Sequence, residues 1–241
     1  MHKYKLIALD LDGTLLNTSK EISDQNLHWI RQAEEAGLIV SFATGRGRNS
    51  SEPFWGAVSP KAPMVMTNGA EIWKNHDEVL SRHALPDEYV PRLIELAQEH
   101  GAQYWTVGDC TVEGNLGTGD CLKVGMYHHD LRIIDGLRDL LTTVGDFEVS
   151  SSARNNIEVN RKGVTKAAGL SEVIGPLGIK PSEVVAIGDG LNDLAMLRWA
   201  GFSVAMQNAP DIVKEHADHI TASNDEDGVA QLIQLLLKQM S

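Results

Sequence analysis

Two carboxylates stand two residues apart in Asp10-Leu-Asp-Gly-Thr14, directly after the apolar run Leu6-Ile-Ala-Leu9. In an extended chain, residues i and i+2 project to one side, so both acids can serve one site. Gly13 lets the backbone turn away at once. A second acidic segment, Gly188-Asp-Gly-Leu-Asn-Asp193, follows the apolar run Val184–Ile187. Asp189 ends that run, and Asp193 falls one turn into the next helix. Taken singly, Asp189 and Asn192 read as well as helix caps. Three carboxylates gathered from two strand ends in one crevice would repel one another. A divalent cation reconciles them, and an all-oxygen donor set suits Mg2+.

Further segments point to an anion. Thr44 ends Ser41-Phe-Ala-Thr44, and its hydroxyl with the amides that follow, from Gly45 on, can cradle phosphate oxygens. Lys166 closes Lys162-Gly-Val-Thr-Lys166 at the expected start of a helix. A helix N-terminus and an ammonium together favour negative charge, although a lone lysine there is more often a solvated surface group.

The elements that must position these residues are legible as apolar runs alternating with helical spacing. Strands are expected at Tyr4–Leu11, Leu38–Ala43, Met64–Thr67, Val184–Ile187, Phe202–Ala205 and His219–Thr221. Helices are expected after Ser23 and at about 47–57, 163–175, 191–200, 209–217 and 227–239. Runs that are apolar throughout suit strands covered on both faces, which predicts a doubly wound, Rossmann-like parallel sheet. The middle of the chain reads differently, as an α+β insert. Helices fit Asp87–His100 and Leu131–Val144, and strands fit Ala102–Val107, Leu122–Tyr127, Phe147–Ser150 and Asn156–Val159. The expected organisation is a core of 1–81 and 161–241 with an inserted cap of 82–160.

Composition narrows the function. The chain has 241 residues, and Lys+Arg 21 against Asp+Glu 33 gives a net charge of −12. That balance argues against nucleic-acid or anionic-lipid partners, which need a basic surface. No apolar run approaches the roughly 18 residues of a membrane span. Cys110 and Cys121 make no metal or disulfide framework, and with no signal peptide apparent they fit a reducing, cytoplasmic setting. Gly114-Asn-Leu-Gly-Thr-Gly119 does not fit a dinucleotide loop and reads as a turn. The tryptophans are assigned mostly to packing or interfaces, and for Trp105 of the insert a surface or packing role is favoured over one facing the substrate. Arg154, Asn155 and Lys123 are candidate contacts for a leaving group.

Taken in order, the four segments resemble the four motifs of the haloacid dehalogenase-like phosphatases. The insert between the Thr44 and Lys166 segments is similar to a C2 (IIB) cap. Asn68-Gly-Ala70 and Ile157-Glu-Val159 resemble the Cof-type subgroup. The resemblance implies that Asp10 is the nucleophile, forming an aspartyl-phosphate, and that Asp12 protonates the leaving alcohol and then activates water. It implies Mg2+ held by Asp189, one oxygen of Asp10 and the backbone carbonyl of Asp12, with Asp193 supporting or completing the set. Thr44, Gly45, Lys166 and Asn192 would bind the phosphoryl group. The implied substrate is a small phosphorylated metabolite, with sugar phosphates first and phosphoglycolate, flavin mononucleotide and pyridoxal phosphate still open. Two other readings stand beside this one. A phosphomutase or phosphotransferase would pass the phosphoryl group to a second hydroxyl, and a non-catalytic phospho-regulatory module would hold it without turnover.

Overall fold

The computed structural model describes residues 3–113 and 116–240. Strand β1 (Leu6–Leu9) is buried at every position, as its unbroken apolar run requires. Helix α1 (Asp24–Glu35) starts where the Ser23 hydroxyl accepts from the Asn26 amide, and strand β2 (Ile39–Phe42) returns beside β1. After a single turn, α2 (Arg48–Ser51), the chain tightens into 3-10 geometry over Glu52–Ala57, where Pro53 lies. Strands β3 (Met64–Met66), β4 (Glu71–Trp73) and β5 (Val79–Arg82) form a separate antiparallel sheet.

The insert follows, with helix α3 (Tyr89–Glu99), strand β6 (Gln103–Gly108) and a small hairpin of β7 (Thr111–Glu113) and β8 (Leu116–Thr118). Strand β9 (Cys121–Tyr127), helix α4 (Leu131–Val144) and strands β10 (Phe147–Ser150) and β11 (Asn156–Arg161) complete it. The chain then re-enters the core through α5 (Lys166–Ile174), β12 (Val184–Gly188), α6 (Leu194–Trp199) and β13 (Phe202–Ala205). One turn, α7 (Asp211–Lys214), leads to β14 (His219–Ile220), and α8 (Gly228–Met240) closes the core.

The main sheet is parallel, in the order β14-β13-β12-β1-β2. Alternate residues of its strands enter two different cores. Ile7, Leu9, Val40 and Ile187 pack towards α8 residues such as Leu232 and Ile233, while Leu6, Ala8, Val184 and Ala186 pack towards Leu170 of α5 and Leu197 of α6. This is the expected α/β architecture with a smaller α+β unit inserted. The insert has its own antiparallel sheet, β10-β11-β9-β6, and Val124, Met126, Ile157 and Val159 on one face of it pack against α3 and α4.

Three expectations are corrected. Met64–Met66 is not a strand of the parallel sheet; it touches that sheet through one bridge, Ala43 to Val65, and otherwise pairs antiparallel with β4. Positive φ at Thr67, Asn68 and Gly69 reverses the chain immediately after β3. The hairpin it enters has no apolar alternation to announce it: buried Glu71 is held by Arg82 Nε at 2.8 Å and Trp73 Nε1 at 3.0 Å. The 209–217 helix shrinks to one turn, and the 191–200 helix opens with a 3-10 turn at Leu191–Asp193. The turn expected at Gly114–Gly119 begins at Gly114 and Asn115, which lie outside the described residues.

Candidate active site

The parallel strands end together, and their carboxyl ends deliver the acids to one place, as open α/β sheets do. Asp10 leaves β1 and Asp189 leaves β12. Asp193 lies in the 3-10 turn after β12. Single oxygens of Asp10, Asp189 and Asp193 lie within 4.8 Å of one another. Gly13 makes the approach feasible: its φ is +80°, and a Cβ there would stand 2.2 Å from Asp189 Oδ2.

Lys166 lies beneath these acids. Its ammonium is fully buried and donates to Asp10 Oδ1 and Asp193 Oδ1, each at 2.6 Å. Burial alone pulls this amine down, but the two carboxylates more than offset it and hold it above its ordinary value. The other oxygen of Asp193 accepts from the Asp189 and Gly190 amides at 2.9 and 2.8 Å. Both oxygens of Asp193 are therefore engaged, which suits a residue that orients the Asp189 loop and Lys166. Asp189 keeps only weak partners, the Thr14 hydroxyl at 3.1 Å and Asn208 Nδ2 at 3.4 Å.

Burial pushes the Asp10 carboxyl well up, against the pull of Lys166. Burial, then the charge of Asp193, pushes Asp189 up to about 7. Two raised carboxyls, Asp10 and Asp189, mark a site short of positive charge, and the oxygen donors gathered there fit a hard divalent cation. The sign for stability follows. A folded-state value of about 7, against roughly 3.9 in the unfolded chain, means Asp189 costs stability as pH rises from about 4 to about 7. A bound cation removes that cost. Divalent-cation affinity is therefore expected to weaken as pH falls below about 7, with proton release on binding. Calorimetry in buffers of different ionisation enthalpy reads this directly; affinity constant from pH 6 to pH 8 would contradict it.

Asp12 faces away from this cluster, across a cavity of about 280 Å³ lined also by Asp10, Thr44, Gly45, Asp189 and Asn192. Arg46 grips it with Nε to Oδ2 at 2.6 Å and Nη2 to Oδ1 at 2.8 Å, and Lys20 Nζ adds a third bond at 2.8 Å. Partial burial opposes ionisation, but these donors outweigh it and bring Asp12 down to about 2. Held this way, Asp12 is an anion at neutral pH and has no proton to give. It can act as an acid only once Arg46 and Lys20 release it and it takes up a proton. Phe54, under the guanidinium at 5.0 Å, helps to fix that grip.

Thr44 is buried, and its hydroxyl oxygen accepts from the Arg46 amide at 3.1 Å, which leaves its proton to donate into the cavity. The insert reaches the same place. Lys123 Nζ donates to Gly45 O at 2.7 Å and pairs with Glu158 Oε1 at 3.1 Å. Asn68 Nδ2 donates to Glu158 Oε2 at 2.6 Å, and Asn192 Nδ2 donates to Asn68 Oδ1 at 3.2 Å.

The structure thus brings Asp10, Asp189, Asp193 and Lys166 into contact, and places Asp12, Thr44, Gly45 and Asn192 around the cavity above them. Lys166 does not line that cavity, since Asp10 stands between. Of the candidate leaving-group contacts, Lys123 faces the cavity, while Arg154 is exposed and neither it nor Asn155 lines the cavity. Arg46 and Glu158 carry roles that residue type alone did not mark. The available signal was a cation two residues after Thr44 and a charge inside the apolar run Ile157-Glu-Val159.

A buried lysine thus bridges two carboxylates at the carboxyl edge of a parallel sheet, with a further acid across a small cavity. The chain belongs to the haloacid dehalogenase-like hydrolase family, which it matches over residues 7–115 and 120–233. It is a phosphatase. The 5-amino-6-(5-phospho-D-ribitylamino)uracil phosphatase YcsE of Bacillus subtilis is 38% identical over 95% of this chain and 94% of its own. YitU of the same organism, a phosphatase with the same named substrate, is 32% identical over 95% of this chain and 96% of its own. A haloacid dehalogenase-like hydrolase of known structure from Bacteroides thetaiotaomicron superposes with a TM-score of 0.83 at 32% identity, covering 97% of this chain and 100% of that one.

Proposed function

We propose that the protein is a Mg2+-dependent phosphomonoesterase acting on a small phosphorylated metabolite through an aspartyl-phosphate at Asp10. The observation that carries this reading is the placement of Asp10, which keeps one oxygen for attack while Lys166 holds the other at 2.6 Å. In the first step Asp10 forms a bond to phosphorus as the P–O bond to the leaving alcohol breaks. Asp12, let go by Arg46 and Lys20, takes up a proton from solvent and gives it to the leaving oxygen. In the second step Asp12 takes a proton from the water that attacks the aspartyl-phosphate, and Asp10 is regenerated. Thr44, Gly45 and Asn192 hold the phosphoryl oxygens, and Lys166 offsets charge from beneath. Asp10, Asp189 and the Asp12 carbonyl would hold Mg2+, with Asp193 steadying them. The cation supplies charge neutralisation between the dianionic phosphate and its carboxylate nucleophile.

The segment 82–160 acts as the cap, and its inner face selects the leaving group. The names of the two Bacillus relatives make 5-amino-6-(5-phospho-D-ribitylamino)uracil the first substrate to assay. The test is phosphate release from a panel of metabolite monophosphates, with Mg2+ or with EDTA. Release that requires Mg2+ is expected. Release undiminished in EDTA, or transfer to an alcohol acceptor at the expense of free phosphate, would overturn the reading.

A further inference from the structure

The face of the insert sheet turned away from α3 and α4 carries one aromatic ring with an unused side. The strand register pairs Trp105 of β6 with Gly125 of β9, and Gly125 with Glu158 of β11, so these residues form one rung. The indole lies across Gly125: a Cβ built there would meet Cε2, Cζ2 and Cδ2 at 2.1, 2.2 and 2.6 Å. Glycine within a strand weakens it, and close approach by another group is what such a position serves. One face of the indole therefore rests on bare backbone, while Trp105 also lines the cavity that contains Asp10 and Asp12. Among the described residues no aromatic ring stacks on it.

The polar groups beside it are largely engaged with one another. Lys123 is engaged by Glu158 and Gly45 O, and Glu158 by Lys123, Asn68 Nδ2 and Ser152 Oγ. A leaving group without a ring leaves the open face of the indole in water. A flat ring instead covers the indole and the neighbouring Val107, and stacking on an aromatic side chain is worth about 1–3 kcal/mol.

We propose that Trp105 is a specificity-determining platform on which a planar heteroaromatic leaving group stacks. The proposal rests on the phosphomonoesterase reading and goes beyond it by naming the leaving-group class and the residue that selects it.

The test measures binding without turnover. In an Asp10→Asn background, calorimetry compares pyridoxine phosphate, a planar ring that forms no imine with lysine, with sorbitol phosphate. The ring compound is expected to bind more tightly. Trp105→Leu is expected to reduce that preference by about 5- to 150-fold, the equivalent of one stacking contact. Trp105→Phe keeps most of it, and Gly125→Ala, which cannot coexist with the indole in this position, lowers it as Trp105→Leu does. Equal loss for both ligands, no loss for either, or no initial preference would overturn the platform. Phosphate release by the wild type is scored separately. A protein that releases none yet shows the Trp105-dependent preference would refute the esterase reading alone.

Discussion

Replacing Asp10 with Asn is expected to abolish phosphate release and, in EDTA, to raise the melting temperature. The two effects have one cause. Asp10 is buried beside Asp189 and Asp193, and its carboxyl is held well above the ordinary range by burial despite Lys166. Its ionised form is therefore disfavoured in the fold, and that is the form needed for attack on phosphorus. An asparagine keeps the shape and still accepts from Lys166, but it carries no charge and makes no stable phosphoryl ester. The loss of rate should exceed the roughly 10²–10³-fold that a single charge-stabilising group is worth, because the bond-forming atom itself is gone. Thermal melts with and without Mg2+ separate the outcomes. An Asn variant that is inactive and no less stable supports the account; one that is inactive because it fails to fold does not.

Lys166→Met is expected to damage both activity and stability. Lys166 is fully buried, and its ammonium is the shared partner of Asp10 and Asp193. Removing one member of a buried ion network leaves uncompensated charge and costs about 3–5 kcal/mol. For a chain of this size that corresponds to a fall in melting temperature of about 6–20 °C. The fall should be smaller at acidic pH, where the stranded carboxylates take up protons. Adding Asp193→Asn removes one of the stranded charges and should restore part of the stability but none of the phosphate release. Activity retained in Lys166→Met would show that this cation does not offset the charge of the transferring group.

The sequence carried the ends of the parallel strands clearly, for a physical reason. Leu6–Leu9 and Val184–Ile187 are apolar without interruption, so the first charge after each, Asp10 and Asp189, marks the strand's carboxyl edge. Lys166 was legible from its place near the start of the helix expected at 163–175 and from the family resemblance, and the structure starts that helix at Lys166 under a Thr165 cap. Other features needed three dimensions. Nothing local says that Arg46 turns onto Asp12, 34 positions away, rather than into solvent. Arg154 and Lys123 look alike as cations of the insert. The register of β9 aims Lys123 at Gly45, whereas Arg154 falls in the loop between β10 and β11. The β4–β5 hairpin stayed hidden because a charged residue, Glu71, fills a buried position that an apolar pattern would have flagged.

The central claim is that Asp10 is the atom donor to phosphorus. Acid quenching during turnover, followed by peptide mass spectrometry, tests it most directly. The account predicts a transient phosphoryl adduct on the peptide carrying Asp10, formed only with Mg2+ present and absent from Asp10→Asn. Full turnover with no adduct, or an adduct on any other residue, would contradict it.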